Sequence, residues 1–211
     1  MSASVLSILS IEAPEAISLA LERLQEGLPI GFPTDTVYGI GALALNASAV
    51  EQLYVLKERP RQMALPVLLA DMTDLYQVVR DMPPVAADLA RRFWPGALTL
   101  VVPAAHHLPP VLLAGGETVA VRIPDHPWLR QLIRRLGQPL AATSANRHGA
   151  RDATTSDEVA AQFGNRLSLI LDGGVAPGGV PSTVVRCIGP HPQVLRPGGV
   201  VLGESLARSG C

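Results

Sequence analysis

Lysine is almost absent from this 211-residue chain, which holds sixteen arginines and one lysine, Lys57. Its positive surface is therefore arginine, and the single retained lysine becomes a candidate for a specific task. A guanidinium offers a planar fork, whereas a compact ammonium suits a phosphate or a carboxylate. Cysteine is scarce too. Cys187 and Cys211 lie far from metal-type spacing, and a cytosolic chain has little reason to join them, so a zinc motif and a disulfide scaffold are both excluded. Aromatic residues make up 4%, which leaves little stacking surface for RNA; Trp94 and Trp128 read as core. No apolar run approaches the roughly 18 residues that span a bilayer. Met1 to Ser10 lacks the basic start and small-residue cleavage site of a secretory signal, so a soluble, cytoplasmic protein is expected. A formal charge of -1 means that no global basic field draws the chain to nucleic acid, although a local basic cleft is invisible to that sum.

What is present is apolar material in regular alternation. Hydrophobic residues make up 48% and charged residues 17%, ample for a buried core and too little charge for disorder. No break in composition separates two cores, so one domain over residues 1–211 is expected. Ile17, Ala20, Leu21 and Leu24 recur at helical spacing within Pro14 to Glu26 and stop at Gly27. A short apolar run, Leu28 to Pro33, leads into a loop from Thr34 to Gly41, after which Asn46 caps a helix through Val50, Leu53 and Leu56. Further strands are expected at Leu65 to Ala70, Ala97 to Pro103, Thr118 to Ile123, Pro139 to Thr143, Leu167 to Leu171 and Ser182 to Ile188. Helices are expected near Asp74 to Val79, at Pro84 to Phe93, at Pro127 to Leu136, and after a Thr155/Glu158 capping box. Such alternation predicts an α/β fold, a sheet largely covered by helices with ligand-binding loops at strand ends.

Two segments could carry chemistry. In Lys57-Glu58-Arg59-Pro60, residues two apart on a continuing helix would point to different sides. Pro60 disfavours helical geometry at Arg59, so the helix is expected to end there and let the arginine swing toward the lysine's side. A basic helix end complementing the dipole, with Lys57 solvated, is the plainer explanation. In Ala142-Thr143-Ser144-Ala145-Asn146, an extended chain would present Ser144 and Asn146 on one face; a simple strand-to-turn transition also favours Ser and Asn. Thr34 and Thr36 share a face by the same logic, and Gly39 and Gly41 serve either close backbone approach or a turn. His106-His107 has no partner at ligand spacing and reads as a solvent loop. Gly173-Gly174 and Gly178-Gly179 read as turns.

Taken in order, seven segments resemble the YrdC family of threonylcarbamoyl-AMP synthases along most of the chain. They are Pro33-Thr34-Asp35-Thr36-Val37-Tyr38-Gly39-Ile40-Gly41, Lys57-Glu58-Arg59-Pro60, Trp94-Pro95-Gly96-Ala97-Leu98-Thr99, Val119-Ala120-Val121-Arg122-Ile123-Pro124, Ser144-Ala145-Asn146, Pro181-Ser182-Thr183-Val184-Val185 and Leu195-Arg196-Pro197-Gly198. The resemblance implies a YrdC-like twisted mixed sheet flanked by helices, with a large concave ligand cavity. It also implies condensation of L-threonine, bicarbonate and ATP to threonylcarbamoyl-AMP and pyrophosphate, feeding modification of tRNA by a downstream transferase; direct tRNA contact is left open. By resemblance, the catalytic pair is Lys57 and Arg59. Thr36, Arg122, the backbone at Ala142 and Ser182 would surround threonine, with Arg122 facing its carboxylate. Arg59, Thr118, Ser144, Asn146 and Arg196 would hold ATP, Lys57 would sit beside the phosphates or the carboxy group, and Mg2+ would arrive with the ATP.

The chain departs from the family pattern at three places. Met63 stands where a polar residue is common, Leu68 where some relatives carry histidine, and Arg147-His148-Gly149 follows Ser-Ala-Asn where serine and glycine are usual. Three alternative functions fit the sequence less well. An RNA-binding module is disfavoured by the near-neutral charge. A carbamoyl-adenylate-forming domain of hydrogenase maturation would need cysteine-rich zinc segments. An inactive paralogue fits poorly with intact Lys57, Arg59, Ser144 and Asn146. Since the sequence stops soon after Leu195-Arg196-Pro197-Gly198, the short form without an extra C-terminal domain is expected.

Overall fold

A computed structural model describes residues 6–147, 149–189 and 191–202. The helices form where the pattern places them, and four of the five open on an identifiable device. α1 spans Ala16–Gln25, burying Ala16, Ala20 and Leu24. α2 spans Ala47–Lys57; the Asn46 side chain accepts from the amides of Ser48 at 3.1 Å and Ala49 at 3.2 Å, satisfying two donors that the first turn leaves free. α3 is Pro84–Phe93 and α4 is Pro127–Leu136. In both, proline opens the helix, where its missing N–H costs nothing, and α4 stops at Gly137, in left-handed geometry at φ 70°. α5 is Ser156–Phe163. Its capping box is offset: Thr155 Oγ1 accepts from the Glu158 amide at 3.2 Å, but the Glu158 carboxylate returns to the Thr154 amide at 2.6 Å. The segment expected as a helix near Asp74 to Val79 is a tighter 3₁₀ turn, Met72–Gln77.

Ten strands build one mixed sheet: β1 Ser7–Ser10, β2 Ile30–Phe32, β3 Gly39–Leu43, β4 Val67–Leu68, β5 Leu98–Pro103, β6 Thr118–Arg122, β7 Leu140–Ser144, β8 Leu169–Asp172, β9 Thr183–Arg186 and β10 Gln193–Arg196. Their spatial order is β1-β8-β2-β3-β7-β4-β6-β5-β9-β10. Side chains alternate between two cores, as a period of two requires. Leu140, Ala142, Leu169 and Leu171 face α1 and α4, whereas Ala141 and Ile170 face the core that holds Val50 and Leu53 of α2, Leu89 of α3 and Phe163 of α5.

Three strands escape the sequence pattern. β3 falls partly inside the segment expected as a loop, and its glycines serve close approach. A Cβ on Gly41 would lie 2.8 Å from the Ala141 carbonyl oxygen and 2.9 Å from the Phe32 ring, so only glycine lets β3 lie between Phe32 and β7. β1 and β10 are short outer strands without a wholly buried face. The strand expected at Leu65 to Ala70 contracts to the two residues of β4.

Candidate active site

The strands converge on one cavity of about 150 Å³. β7 delivers Ala142, Thr143 and Ser144; β6 ends in Arg122; Thr99 is the second residue of β5, Ser182 precedes β9 and Arg196 closes β10. Pairing of Gly39 with Ser144 brings the Thr34–Gly39 segment alongside. Phe32, Val37, Pro66 and Leu68 supply apolar walls, and Arg59 completes a lining with three guanidiniums. Burial is the main force that lowers the pKa of Arg59, Arg122 and Arg196, and Arg196 depresses the other two further by charge repulsion. Arginine stays charged even so.

Arg59 reaches the cavity by a route other than the one expected from Pro60. α2 ends at Lys57, and Glu58 adopts left-handed geometry at φ 55°. The amide of Glu58 bonds to the Val55 carbonyl at 3.3 Å and that of Arg59 to the Tyr54 carbonyl at 3.0 Å. This is a Schellman turn closed by a non-glycine residue, and Pro60 only prevents resumption of the helix. The turn sends Arg59 back toward the sheet, where Nε donates to the Met63 carbonyl at 3.0 Å and Nη2 to that of Ala64 at 3.0 Å. Met63 thus contributes its backbone, while its side chain is exposed.

Lys57 is not a solvated helix end. It is 3% exposed, and its ammonium donates to the Ser144 carbonyl at 2.6 Å, Ser144 Oγ at 3.1 Å and Asn146 Oδ1 at 2.8 Å. An ammonium has three donors, and all three are used. Ser144 Oγ in turn donates to Asn146 Oδ1 at 2.7 Å. The two polar side chains meet because Asn146 folds back in a tight turn, its amide on the Ser144 carbonyl at 2.9 Å, rather than because extended chain puts them on one face. Lys57 therefore stands behind Ser144 and is not among the side chains that line the cavity. Burial, first, and the Arg59 charge, second, lower its pKa to about 8, with Asp152 opposing the shift.

The threonine pair behaves similarly. Thr34 and Thr36 hydroxyls lie 2.9 Å apart in a bend, and Thr34 Oγ1 donates to the Val37 carbonyl at 2.6 Å. Thr36 must therefore be the donor between the two hydroxyls, since Thr34 has only one proton to give. Thr36 Oγ1 also accepts from Arg122 Nη1 at 2.9 Å. Ser182 Oγ sits 2.7 Å from Thr99 Oγ1, and its carbonyl accepts from Arg196 Nη2 at 2.8 Å. The Ala142 amide is spent on the Pro66 carbonyl at 2.9 Å. Two residues expected to hold ATP do not line the cavity: Asn146, which sits with Lys57 against Ser144, and Thr118, which opens β6 opposite Pro103, at the strand end away from Arg122. Four residues of strand separate them by about 13 Å, and Thr118 does not line the cavity. Asp35 and Thr99 were missed; Asp35 is paired with Arg122 at 2.7 Å. Leu68 forms cavity wall, and His148 lies outside the described residues.

Comparison with known proteins bears on this arrangement. The Sua5_yciO_yrdC family model, described as telomere recombination, matches residues 22–198. The chain belongs to the Sua5/YciO/YrdC family. Threonylcarbamoyl-AMP synthase of Bacillus subtilis (strain 168) is 45% identical over 193 residues, covering 91% of this chain and 56% of that protein. The corresponding protein of Pyrococcus abyssi is 41% identical over 188 residues, covering 89% and 55%. The crystal structure of P. abyssi Sua5 complexed with L-threonine superposes with a TM-score of 0.88 at 38% identity, over 93% of this chain and 58% of that one. The chain thus spans just over half the length of these relatives. The mixed sheet flanked by helices is the YrdC-like fold expected from the sequence. No helix among the described residues is long and apolar enough to cross a membrane.

The Lys57 burial has a signed pH consequence. Its folded pKa, about 8, lies below the ordinary value of 10.5. Between these values the unfolded chain holds a proton that the folded one has released, so the Lys57 contribution to stability rises with pH across that window. Comparing the denaturant midpoint of wild type with that of Lys57→Met from pH 7 to 10 isolates this contribution. The wild-type midpoint should gain on the variant's above about pH 8; parallel curves would mean that the lysine is not desolvated in solution.

Proposed function

We propose that this chain is an L-threonylcarbamoyladenylate synthase. The observation that carries the proposal is the juxtaposition, in one cavity, of a buried guanidinium, Arg122, with two donors unused among the described residues, and a separate polar group of Arg59, Arg196 and Ser144. The first suits a carboxylate and the second a polyphosphate. Threonine would lie against Thr36, Arg122, Ala142 and Ser182. ATP would lie against Arg59, Ser144 and Arg196, with Asn146 and Lys57 holding Ser144 in place. Thr118 is left out of the nucleotide site, being at the far end of its strand. Magnesium would enter on the ATP phosphates as part of the substrate.

In the proposed reaction the threonine amine combines with bicarbonate, losing water, to give an N-carboxy group. A carboxy oxygen then attacks the α-phosphorus of ATP, and the α–β bridging oxygen leaves with pyrophosphate. Catalysis of this kind asks mainly for alignment and charge stabilisation. Arg59 and Arg196 would meet charge gathering on the phosphates, and Lys57 would keep the Ser144 hydroxyl and its own buried charge close behind them. The adenylate would pass to a tRNA threonylcarbamoyl transferase.

Pyrophosphate release should require ATP, threonine and bicarbonate together, because the nucleophile does not exist until amine and bicarbonate have combined. Omitting each substrate in turn, with bicarbonate-depleted buffer for the critical case, tests this. Serine, lacking one methyl, should be poorer by about 1 kcal/mol or somewhat more, and glycine worse. Full release without threonine, or a requirement for carbamoyl phosphate, would replace the synthase with a hydrolase or a carbamoyl-adenylate enzyme.

A further inference from the structure

Arg122 is held at every nitrogen. Nε donates to the Gly96 carbonyl at 2.9 Å, Nη1 to Thr36 Oγ1 at 2.9 Å and Nη2 to Asp35 Oδ1 at 2.7 Å. Three anchors on one planar group fix both its position and its tilt. A guanidinium has five N–H bonds, so one on Nη1 and one on Nη2 have no acceptor among the described residues. Two donors on neighbouring nitrogens are what a carboxylate meets in a two-pronged pair. Arg122 lines the cavity and Asp35 does not, so Asp35 works from behind.

Asp35 is itself held in place. A Cβ on Gly178 would lie 2.6 Å from the Asp35 carbonyl oxygen, and the Gly179 amide donates to the Thr36 carbonyl at 2.8 Å. The 178–179 segment thus clamps the backbone that carries both Asp35 and Thr36. The ion pair is well shielded, with side-chain exposures of 7% for Arg122 and 13% for Asp35. Its charge is also balanced locally, whereas Arg59 and Arg196 have only carbonyl and hydroxyl partners among the described residues. The Asp152 carboxylate acts on Arg196 and on Lys57, but that one charge faces Lys57, Arg59 and Arg196 together, so the cavity has a charge-balanced end at Arg122 and a net cationic end at Arg59 and Arg196.

We propose that Asp35 is a positioning and specificity residue that aims the two free donors of Arg122 and, by cancelling its charge, reserves that end of the cavity for a monoanionic carboxylate while polyphosphate is directed to Arg59 and Arg196. This rests on the synthase function above but concerns a residue that touches neither substrate. Removing Asp35 does two separable things. Asp35→Ala loses the anchor and the charge; Asp35→Asn keeps an oxygen that can accept from Nη2 and loses only the charge.

Calorimetry on the unreacted protein separates them. Asp35→Ala should weaken L-threonine binding by about tenfold or more, the range expected when a hydrogen bond to a charged group is lost. ATP affinity should stay within about threefold, since Arg59 and Arg196 remain. Asp35→Asn should keep threonine affinity within about threefold, and pyrophosphate, which should not compete with threonine in the wild type, should compete with it in this variant. A merely structural Asp35 would weaken both ligands alike and create no such competition. The proposal is overturned if Asp35→Ala binds threonine as the wild type does, if both ligands weaken together, or if Asp35→Asn shows no competition. The last result decides alone should the alanine variant fail to fold. If wild-type protein binds no threonine, the synthase function and this inference fall together. If wild type binds it and needs all three substrates while the Asp35 variants behave normally, only the role of Asp35 fails.

Discussion

Replacing Lys57 with alanine is expected to reduce pyrophosphate release by about 10²-fold or more, since it removes a charge held close behind the cavity and releases Ser144, which lines it, and to destabilise the protein as well. The second effect follows from burial. Three donated hydrogen bonds disappear, leaving the Ser144 carbonyl and Asn146 Oδ1 in a site where the lysine was 3% exposed. The Ser144 carbonyl keeps the Asn146 amide and Asn146 Oδ1 keeps Ser144 Oγ, so the cost is that of losing hydrogen bonds to a charged group, about 1–3 kcal/mol. An exposed helix-end lysine would have cost almost nothing, so the stability change separates the two placements independently of turnover. Lys57→Met retains most of the stem's packing and should show the activity loss with less destabilisation. Lys57→Arg keeps the charge but must fit a larger planar group into a filled space, and it should also be impaired. Near-normal turnover in the alanine variant would sink the electrostatic role; an unchanged denaturant midpoint would sink the buried network.

The second large effect is at Arg122. Arg122→Ala should weaken L-threonine by about 100-fold or more, since both prongs of a charged pair are removed, and should change ATP affinity far less. It also strands Asp35, whose carboxylate is 13% exposed beside it; breaking a buried pair on one side costs about 3–5 kcal/mol. Arg122→Lys keeps a positive charge against Asp35 and should recover much of the stability. It should not recover threonine binding, because one ammonium cannot reach Asp35, Thr36 and a ligand carboxylate with the same geometry. Separate titrations of threonine and ATP check the contrast. Equal losses for both ligands would point to collapse of the strand rather than to loss of a carboxylate site.

Local signals settled the helices and several of the strands. Asn46 before an apolar stripe, Pro84 and Pro127 as opening residues and Gly137 as a stop act within a few bonds of the backbone they control. Those helices accordingly form with boundaries close to the sequence expectation, α4 without any shift. Glu58 was opaque because a left-handed turn usually announces itself with glycine. β1 and β10 were opaque for another reason: neither has a fully buried face, so no alternation marks them, and each exists by pairing with a distant strand. The seven family segments identified the fold family and most of the cavity lining, since those residue types in that order are far more specific than any periodicity.

Distance along the chain separates what the sequence determined from what only the tertiary structure decided. The α/β pattern, the helix boundaries and the identity of Lys57, Arg59, Arg122, Ser144, Asn146 and Arg196 as candidates were all fixed by residue type and near neighbours. Their roles were not. Lys57 meets Ser144 and Asn146 across 87 and 89 residues, and Arg122 meets Asp35 across 87. These contacts come from strand order and register, in which β3 and β7 bring the start of one segment beside the end of another. Whether a cation lines the cavity, stands behind it or is neutralised by a carboxylate is a property of that long-range pairing. The same pairing left Thr118 outside, because a strand's two ends are near in sequence but not in location.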